Sequence, residues 1–256
     1  MNSKEEVVIL GLGYVGLTLS VIMAERGFKV YGVEINKNFV SSINKGKSHF
    51  YEKGINTRLK AVIKQGNFFA YSKIDSKNKF QNFIITVGTP LDKKNKVRID
   101  MIKRATREIS SSMANDSMII LRSTVKVGTT NTIVKPILAK SNKKFMLAFC
   151  PERTLEGDAL AELEKLPQII SGIDKRSLIR AEKIFQEITS TTVKVSTVET
   201  AEMIKLVDNT SRDLMFAYSN EIAKLSDKFG SNMSEIVKAG KKDYPRTNIP
   251  MPGPVG

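Results

Sequence analysis

Short apolar runs alternate with amphipathic stretches over the first two hundred residues. Val7–Leu10, Lys29–Val33, Phe68–Tyr71, Asn82–Thr86, Met118–Leu121, Phe145–Phe149, Gln168–Ser171 and Thr192–Val195 have the length and composition of strands. Apolar positions at helical spacing separate most of them, over Val15–Arg26, Lys37–Lys45, Asn56–Gln65, Asp100–Met113, Thr129–Ala139 and Lys175–Glu187. Short strands spaced by helices pair in parallel through right-handed crossovers. The pattern predicts an α/β fold with a doubly wound, mostly parallel sheet.

The period changes after Val195. Ser196-Thr197-Val198-Glu199 has the form of a capping box. Apolar positions then recur at steps of three and four residues, and once of seven, from Ile204 to Phe229, uninterrupted by Pro or Gly until Gly230. A helix of about thirty residues is ~45 Å long, more than one sheet layer needs. It is expected to connect domains or to pack against a second copy of itself. A shorter helix, Met233–Ala239, should stop at Gly240. The remainder, Tyr244–Gly256, is dense in Pro and Gly and reads as a loop. Residues 1–196 thus form one expected domain, and 197–256 a smaller helical one.

Composition changes the picture mainly by exclusion. With 41% apolar and 26% charged residues, the 256-residue chain has ordinary globular make-up. No run approaches membrane-spanning length, and the first residues lack a signal-peptide apolar block, so a cytoplasmic protein with no membrane association is expected. Cys150 and His49 are the only residues of their types, which excludes an intrachain disulfide and an ordinary Cys/His zinc site; no metal is expected. His49 lies in a polar, loop-like stretch and reads as a surface residue. Proton transfer would therefore fall to Lys, Glu or Asp. The +15 formal charge is scattered along the chain, and its short basic runs lack interleaved aromatics. It describes a lysine-rich surface that attracts small anions, and no nucleic-acid partner is expected.

Gly11-Leu12-Gly13-Tyr14-Val15-Gly16 follows the first strand and opens the first helix. In that setting the glycines serve a tight turn, close approach of a pyrophosphate and close helix–strand packing. The helix N-terminus offers N–H groups and a favourable dipole to phosphate. Glu34 ends the second strand, where a carboxylate accepts from a ribose diol and repels a 2′-phosphate, so NAD is the expected cofactor. The fold class is accordingly Rossmann-like. Val87-Gly88-Thr89-Pro90 and Arg122-Ser123-Thr124-Val125 follow later strand ends, either as cofactor contacts through Thr89, Pro90 and Thr124 or as ordinary turns.

Three more segments narrow the reading: Cys150-Pro151-Glu152-Arg153 after a strand, Glu202 to Asn209 on the long helix, and Tyr244-Pro245-Arg246 in the tail. Lys205 and Asn209 are four apart and share a helix face. As preorganised donors they could hold a developing alkoxide, at about 3 kcal/mol per donor. Lys205 as a neutral amine could instead accept the alcohol proton. Equally, Lys205 could be an exposed helix lysine in an ion pair. Together with the glycine motif, these segments resemble the UDP-glucose/GDP-mannose dehydrogenase family over essentially the whole chain. Pro-Glu-Arg and Pro167-Gln168-Ile169-Ile170-Ser171-Gly172 most resemble its branch acting on UDP-N-acetyl-hexosamines, UDP-N-acetylmannosamine above all.

The resemblance implies a nucleotide-sugar C6 alcohol oxidised twice, with two NAD consumed and a cysteine thiolate trapping the aldehyde. It gives Lys205, Asn209, Glu152 and Thr124 catalytic parts, Glu152 as a base or water-positioning group. Arg153, Thr154, Arg212, Arg246 and Gly253 join Lys205 and Asn209 as substrate contacts, since guanidinium forks match anionic oxygens. The length of the long helix, separately, makes a homodimer through it the expected assembly. In the family the nucleophile follows a Pro-Gly-Pro-type loop, which here is Pro252-Gly253-Pro254 near the last residue; Cys150 stands elsewhere and reads as a small buried residue. The chain is therefore expected to be a shortened form that binds NAD without completing the reaction. Tyr244 and Phe39 replace residues that are often His and basic in relatives. A noncatalytic NAD-binding, dimerising module, a UDP-glucose or GDP-mannose 6-dehydrogenase, and a hydroxyacid-type dehydrogenase are the alternatives.

Overall fold

The computed structural model describes residues 5–75 and 78–254. Six parallel strands form the main sheet: β1 (Glu6–Leu10), β2 (Lys29–Val33), β3 (Phe68–Tyr71), β4 (Phe80–Ile85), β5 (Met113–Leu121) and β6 (Phe145–Phe149). Their order, β3-β2-β1-β4-β5-β6, reverses between β1 and β4 and so opens a crevice at the carboxyl ends of those two strands. The expected doubly wound sheet is what forms. β7 (Gln168–Ile170) and β8 (Thr192–Lys194) make a separate parallel pair. The strands read as unbroken apolar runs because helices cover both faces, and Val7, Ile9, Ile84, Ile120 and Ala148 are completely buried.

The helices are α1 (Tyr14–Glu25), α2 (Lys37–Asn44), α3 (Ile55–Lys64), α4 (Asp100–Ser112), α5 (Lys135–Ala139), α6 (Ala159–Lys165), α7 (Lys175–Gln186), α8 (Val198–Lys228) and α9 (Met233–Lys241). Several start where a side chain accepts the orphan N–H groups of the first turn. Asn36 caps α2, Asp174 caps α7 and Asn232 caps α9.

Four expectations need correcting. The stretch 129–139 is not one α-helix: a π-helical turn, Thr130–Val134, leads into α5. α6 was not anticipated. The capping box at Ser196 does not form; Thr197 Oγ1 instead accepts from the Thr200 amide, and Glu199 turns to the Asn131 side-chain amide at 2.7 Å. Finally, α9 runs through Gly240 to Lys241 because the left-handed conformation that ends a helix comes later, at Asp243 (φ 54°).

The chain divides into two compact units that meet at Met203/Ile204. In the first, the root of α8 is fastened by Glu202, which is fully buried and accepts from Gly128 N (2.5 Å), Thr130 N (2.8 Å) and the Thr130 hydroxyl (2.6 Å). The second contains the rest of α8, α9 and the Pro/Gly-rich tail, which is a loop through Pro254; Val255 and Gly256 lie outside the described residues.

Candidate functional site

The glycine motif occupies the turn from β1 to α1, at the crevice. Gly11 has φ +96°, and a Cβ there would lie 2.9 Å from Val87 Cα. A Cβ on Gly16 would lie 1.8 Å from the Gly11 carbonyl oxygen. Gly13 is different: a Cβ there meets nothing within 4 Å, and no side chain caps the helix. Two glycines are thus required by the fold, whereas the third keeps open the space above the α1 N-terminus. Beside it, the Glu34 carboxylate accepts from Leu12 N (3.1 Å) and Asn36 N (2.9 Å) and is held against the motif.

On the other side of the crevice, the loops after β4 and β5 are laced together. The Thr89 hydroxyl donates to the Thr124 carbonyl at 2.6 Å, and the Ser123 hydroxyl to the Val87 carbonyl at 2.7 Å. The Pro90 carbonyl accepts from Arg98 N at 2.9 Å. These bonds bring Thr89 and Thr124 together.

Glu152 is at the centre of a buried ionic knot. Arg122, 2% exposed, donates to its Oε2 from Nη2 (2.5 Å) and Nε (3.1 Å), and to Gln168 Oε1 (2.8 Å) and the Cys150 carbonyl (3.0 Å). The other Glu152 oxygen accepts from the Arg153 and Thr154 amides, both at 2.8 Å. Burial alone would raise the carboxyl's pKa. The Arg122 charge and the amides outweigh it and hold the pKa below its ordinary value. Arg153 Nη2 donates to the Pro167 carbonyl at 2.7 Å.

Cys150 is completely buried, as its sequence setting implied, and desolvation pushes its thiol up to about 12. The native protein should therefore react with a thiol reagent at least 100-fold more slowly than the protein in denaturant. Fast stoichiometric labelling of the native state, followed by absorbance, would contradict this.

At the rim, Tyr14, His49, Phe50, Tyr51, Glu156 and Gly157 line an open cavity of about 670 Å³. His49 is not a simple surface residue. It stacks on Phe39 at 4.0 Å and meets Phe50 edge-on, and burial lowers its pKa against the opposing charge of Glu34. Glu156 and the buried Glu52 were absent from the expected set. Only their nearness to the glycine motif marks them, and nothing in local sequence predicts it.

In the second unit, Lys205 and Asn209 occupy one turn of a continuous helix, and Asn209 Oδ1 accepts from Arg212 Nη2 at 3.2 Å. Arg246 stacks on Tyr244, its guanidinium 4.8 Å from the ring centre. Gly253 is bound twice by the Asn220 side chain, at 2.9 and 3.1 Å, and a Cβ on it would press within 3.1 Å of the Phe216 ring.

Residues 5–189 match the NAD binding domain of the UDP-glucose/GDP-mannose dehydrogenase family, and residues 199–256 match its central domain. The chain belongs to this family. A UDP-N-acetyl-D-mannosamine dehydrogenase of Methanocaldococcus jannaschii is 35% identical over 253 residues, 98% of this chain and 58% of that protein. One from Campylobacter jejuni is 34% identical, over 99% of this chain and 64% of its own length. The solved UDP-D-ManNAc dehydrogenase of Pyrococcus horikoshii superposes with a TM-score of 0.91 at 30% identity, covering 97% of this chain and 60% of that one. The chain thus spans about three fifths of the relatives it matches.

Membership of the UDP-glucose/GDP-mannose dehydrogenase family replaces the hydroxyacid-type alternative and makes residues 5–189 an NAD binding domain. The residues present fit NAD: an uncapped helix N-terminus, open space at Gly13 and a carboxylate held at the end of β2. Among the described residues, no group of three or more His, Cys, Asp and Glu could hold a metal ion, and no helix is long and apolar enough to cross a membrane.

Proposed function

We propose that the chain serves the NAD-dependent oxidation of the C6 primary alcohol of a UDP-N-acetyl-hexosamine, UDP-N-acetylmannosamine foremost, in the cytoplasm. The observation that carries this reading is the joint match of both units to one family of nucleotide-sugar dehydrogenases. When bound, NAD supplies the hydride acceptor. Gly11, Gly13, Tyr14, Val15 and Gly16 hold its pyrophosphate, Glu34 its adenosine ribose, and Thr89, Pro90 and Thr124 its other half. Lys205 and Asn209 hold or deprotonate the alcohol, while Arg153, Thr154, Arg212, Arg246 and Gly253 contact the nucleotide sugar.

Glu152 receives a narrower part than a mobile base would. With four donors on its two oxygens, it holds the Pro151–Thr154 turn in shape and serves as a fixed anion. The single thiol of these 256 residues is buried and protonated, so they supply no thiolate for the second oxidation. We therefore expect NADH to bind, read by its own fluorescence since the chain has no tryptophan, and UDP-N-acetylmannosamine to yield no uronate. Turnover to the uronic acid by these residues would overturn that division of labour. If NAD binds and no sugar nucleotide does, the noncatalytic module becomes the better reading.

The partner we propose for α8 is a second copy. Val207, Leu214, Tyr218, Leu225 and Phe229 are exposed at steps of seven and four. At about 100° per residue they lie within a stripe roughly 60° wide, the spacing of a coiled-coil seam. Leu214→Lys should convert a dimer to a monomer in sedimentation at micromolar concentration. An unchanged sedimentation coefficient would remove the stripe from the interface.

A further inference from the structure

A second charged network lies at the rim of the crevice, and of its residues only Tyr14 has a part in the roles above. Glu52, between α2 and α3, is 4% exposed although it carries a carboxylate. The Tyr14 hydroxyl donates to its Oε2, and the Gly157 amide reaches the same oxygen at 3.0 Å and the Tyr14 oxygen at 2.7 Å. The Leu160 amide donates to Oε1 at 3.2 Å. Gly157 has φ +99°, a conformation natural to glycine, so the turn is shaped to deliver that amide.

The placement of these groups is informative. Tyr14 is the first residue of α1, inside the motif that receives the pyrophosphate. Gly157 and Leu160 follow β6, on the far half of the sheet, over which the nicotinamide side of a dinucleotide lies. The network therefore joins the two halves of the sheet at the mouth of the crevice. The Glu52 carboxylate alone reaches the Gly157 and Leu160 amides around the start of α6, and the phenol gives Gly157 a second acceptor. It reaches out from the cofactor motif to a residue 38 positions away. Burial and the Glu52 hydrogen bond push the Tyr14 phenol up to about 12, so the donor keeps its proton at neutral pH.

We propose that Glu52 is a positioning residue for NAD: through the Tyr14 hydroxyl it fixes the turn at Gly157 against the phosphate-binding loop, and so sets where the nicotinamide half lies. This rests on NAD binding at Gly11–Gly16. The adenosine half is assigned to Glu34, whose hydrogen bonds come from the Leu12 and Asn36 amides and not from this network.

Calorimetric titration of NAD and of AMP into the 256-residue protein tests this with Tyr14→Phe, Glu52→Gln and the double variant. Each single change should weaken NAD roughly tenfold, as expected for a hydrogen bond to a charged group. The double variant should be no more than about twofold weaker than the worse single, because the two residues act as one unit. AMP affinity should stay within about twofold of wild type throughout. Unchanged NAD affinity, equal loosening of NAD and AMP, or multiplying losses would each overturn the proposal. If wild type failed to bind AMP, the crevice assignment itself would fall. Should Glu52→Gln fail to fold, Tyr14→Phe alone decides through its NAD-to-AMP ratio, since it removes one oxygen and leaves the Gly157 amide its bond to Glu52.

Discussion

Gly13→Ala should fold like wild type and lose at least 100-fold in NAD affinity, whereas Gly16→Ala should lose both stability and binding. The two substitutions add the same methyl group three residues apart. At Gly13 it enters open space above an uncapped helix terminus, so the fold has nothing to repack. In the proposed NAD site that space is where the pyrophosphate approaches the backbone, and a displaced phosphate forfeits several charge-assisted hydrogen bonds at once. At Gly16 the methyl would stand 1.8 Å from the Gly11 carbonyl and 2.6 Å from Thr86 Oγ1, so the β1–α1 turn must shift. A cost of about 3 kcal/mol is in the range for overpacking against rigid backbone. Thermal melts and NADH fluorescence titrations separate the cases. A Gly13→Ala protein that binds NADH normally would remove the motif from cofactor binding.

Arg122→Met should be among the most damaging single substitutions elsewhere in the sheet domain. It leaves the Glu152 carboxylate buried without its cation, and breaking such a pair costs about 3–5 kcal/mol. For a chain of this size that lowers the melting temperature by roughly 10 °C. The pH dependence carries the signature. In wild type the folded-state pKa of Glu152 is depressed, so its contribution is present above the ordinary carboxylate pKa of about 4.3 and is lost as pH falls through the lowered value. Without Arg122, burial dominates and raises the pKa. The variant should then lose stability as pH rises above about 4.3, until the raised pKa is passed. Adding Glu152→Gln should recover part of the loss. Denaturant melts from pH 4 to pH 8 check this, and parallel curves for wild type and Arg122→Met would contradict it.

Much of this was legible in the amino-acid order, for physical reasons that also mark its limit. Strands buried on both faces must be short apolar runs, so Lys29–Val33, Phe68–Tyr71 and Phe145–Phe149 are readable to the residue. The glycine motif is readable because its geometry is local: β1, the turn and α1 are consecutive. Features that depend on distant partners were not. Arg122 and Glu152 are thirty positions apart, and nothing near either announces that the pair is buried. The same holds for Tyr14 and Glu52, and for His49, whose polar neighbours hide a stack on Phe39. The start of α8 was misplaced because Ser-x-x-Glu and Thr-x-x-Thr are offset by only one residue; a tertiary contact, Glu199 with Asn131, removes the first from competition. The short α6 escaped because seven residues carry too little periodicity to read.

A crystal structure of this chain with NAD tests the central claim most directly. The pyrophosphate should lie on the amides at the start of α1, beside Gly13, with the adenosine ribose hydroxyls on the Glu34 carboxylate. A dinucleotide bound elsewhere, or a ribose without contact to Glu34, would contradict the account.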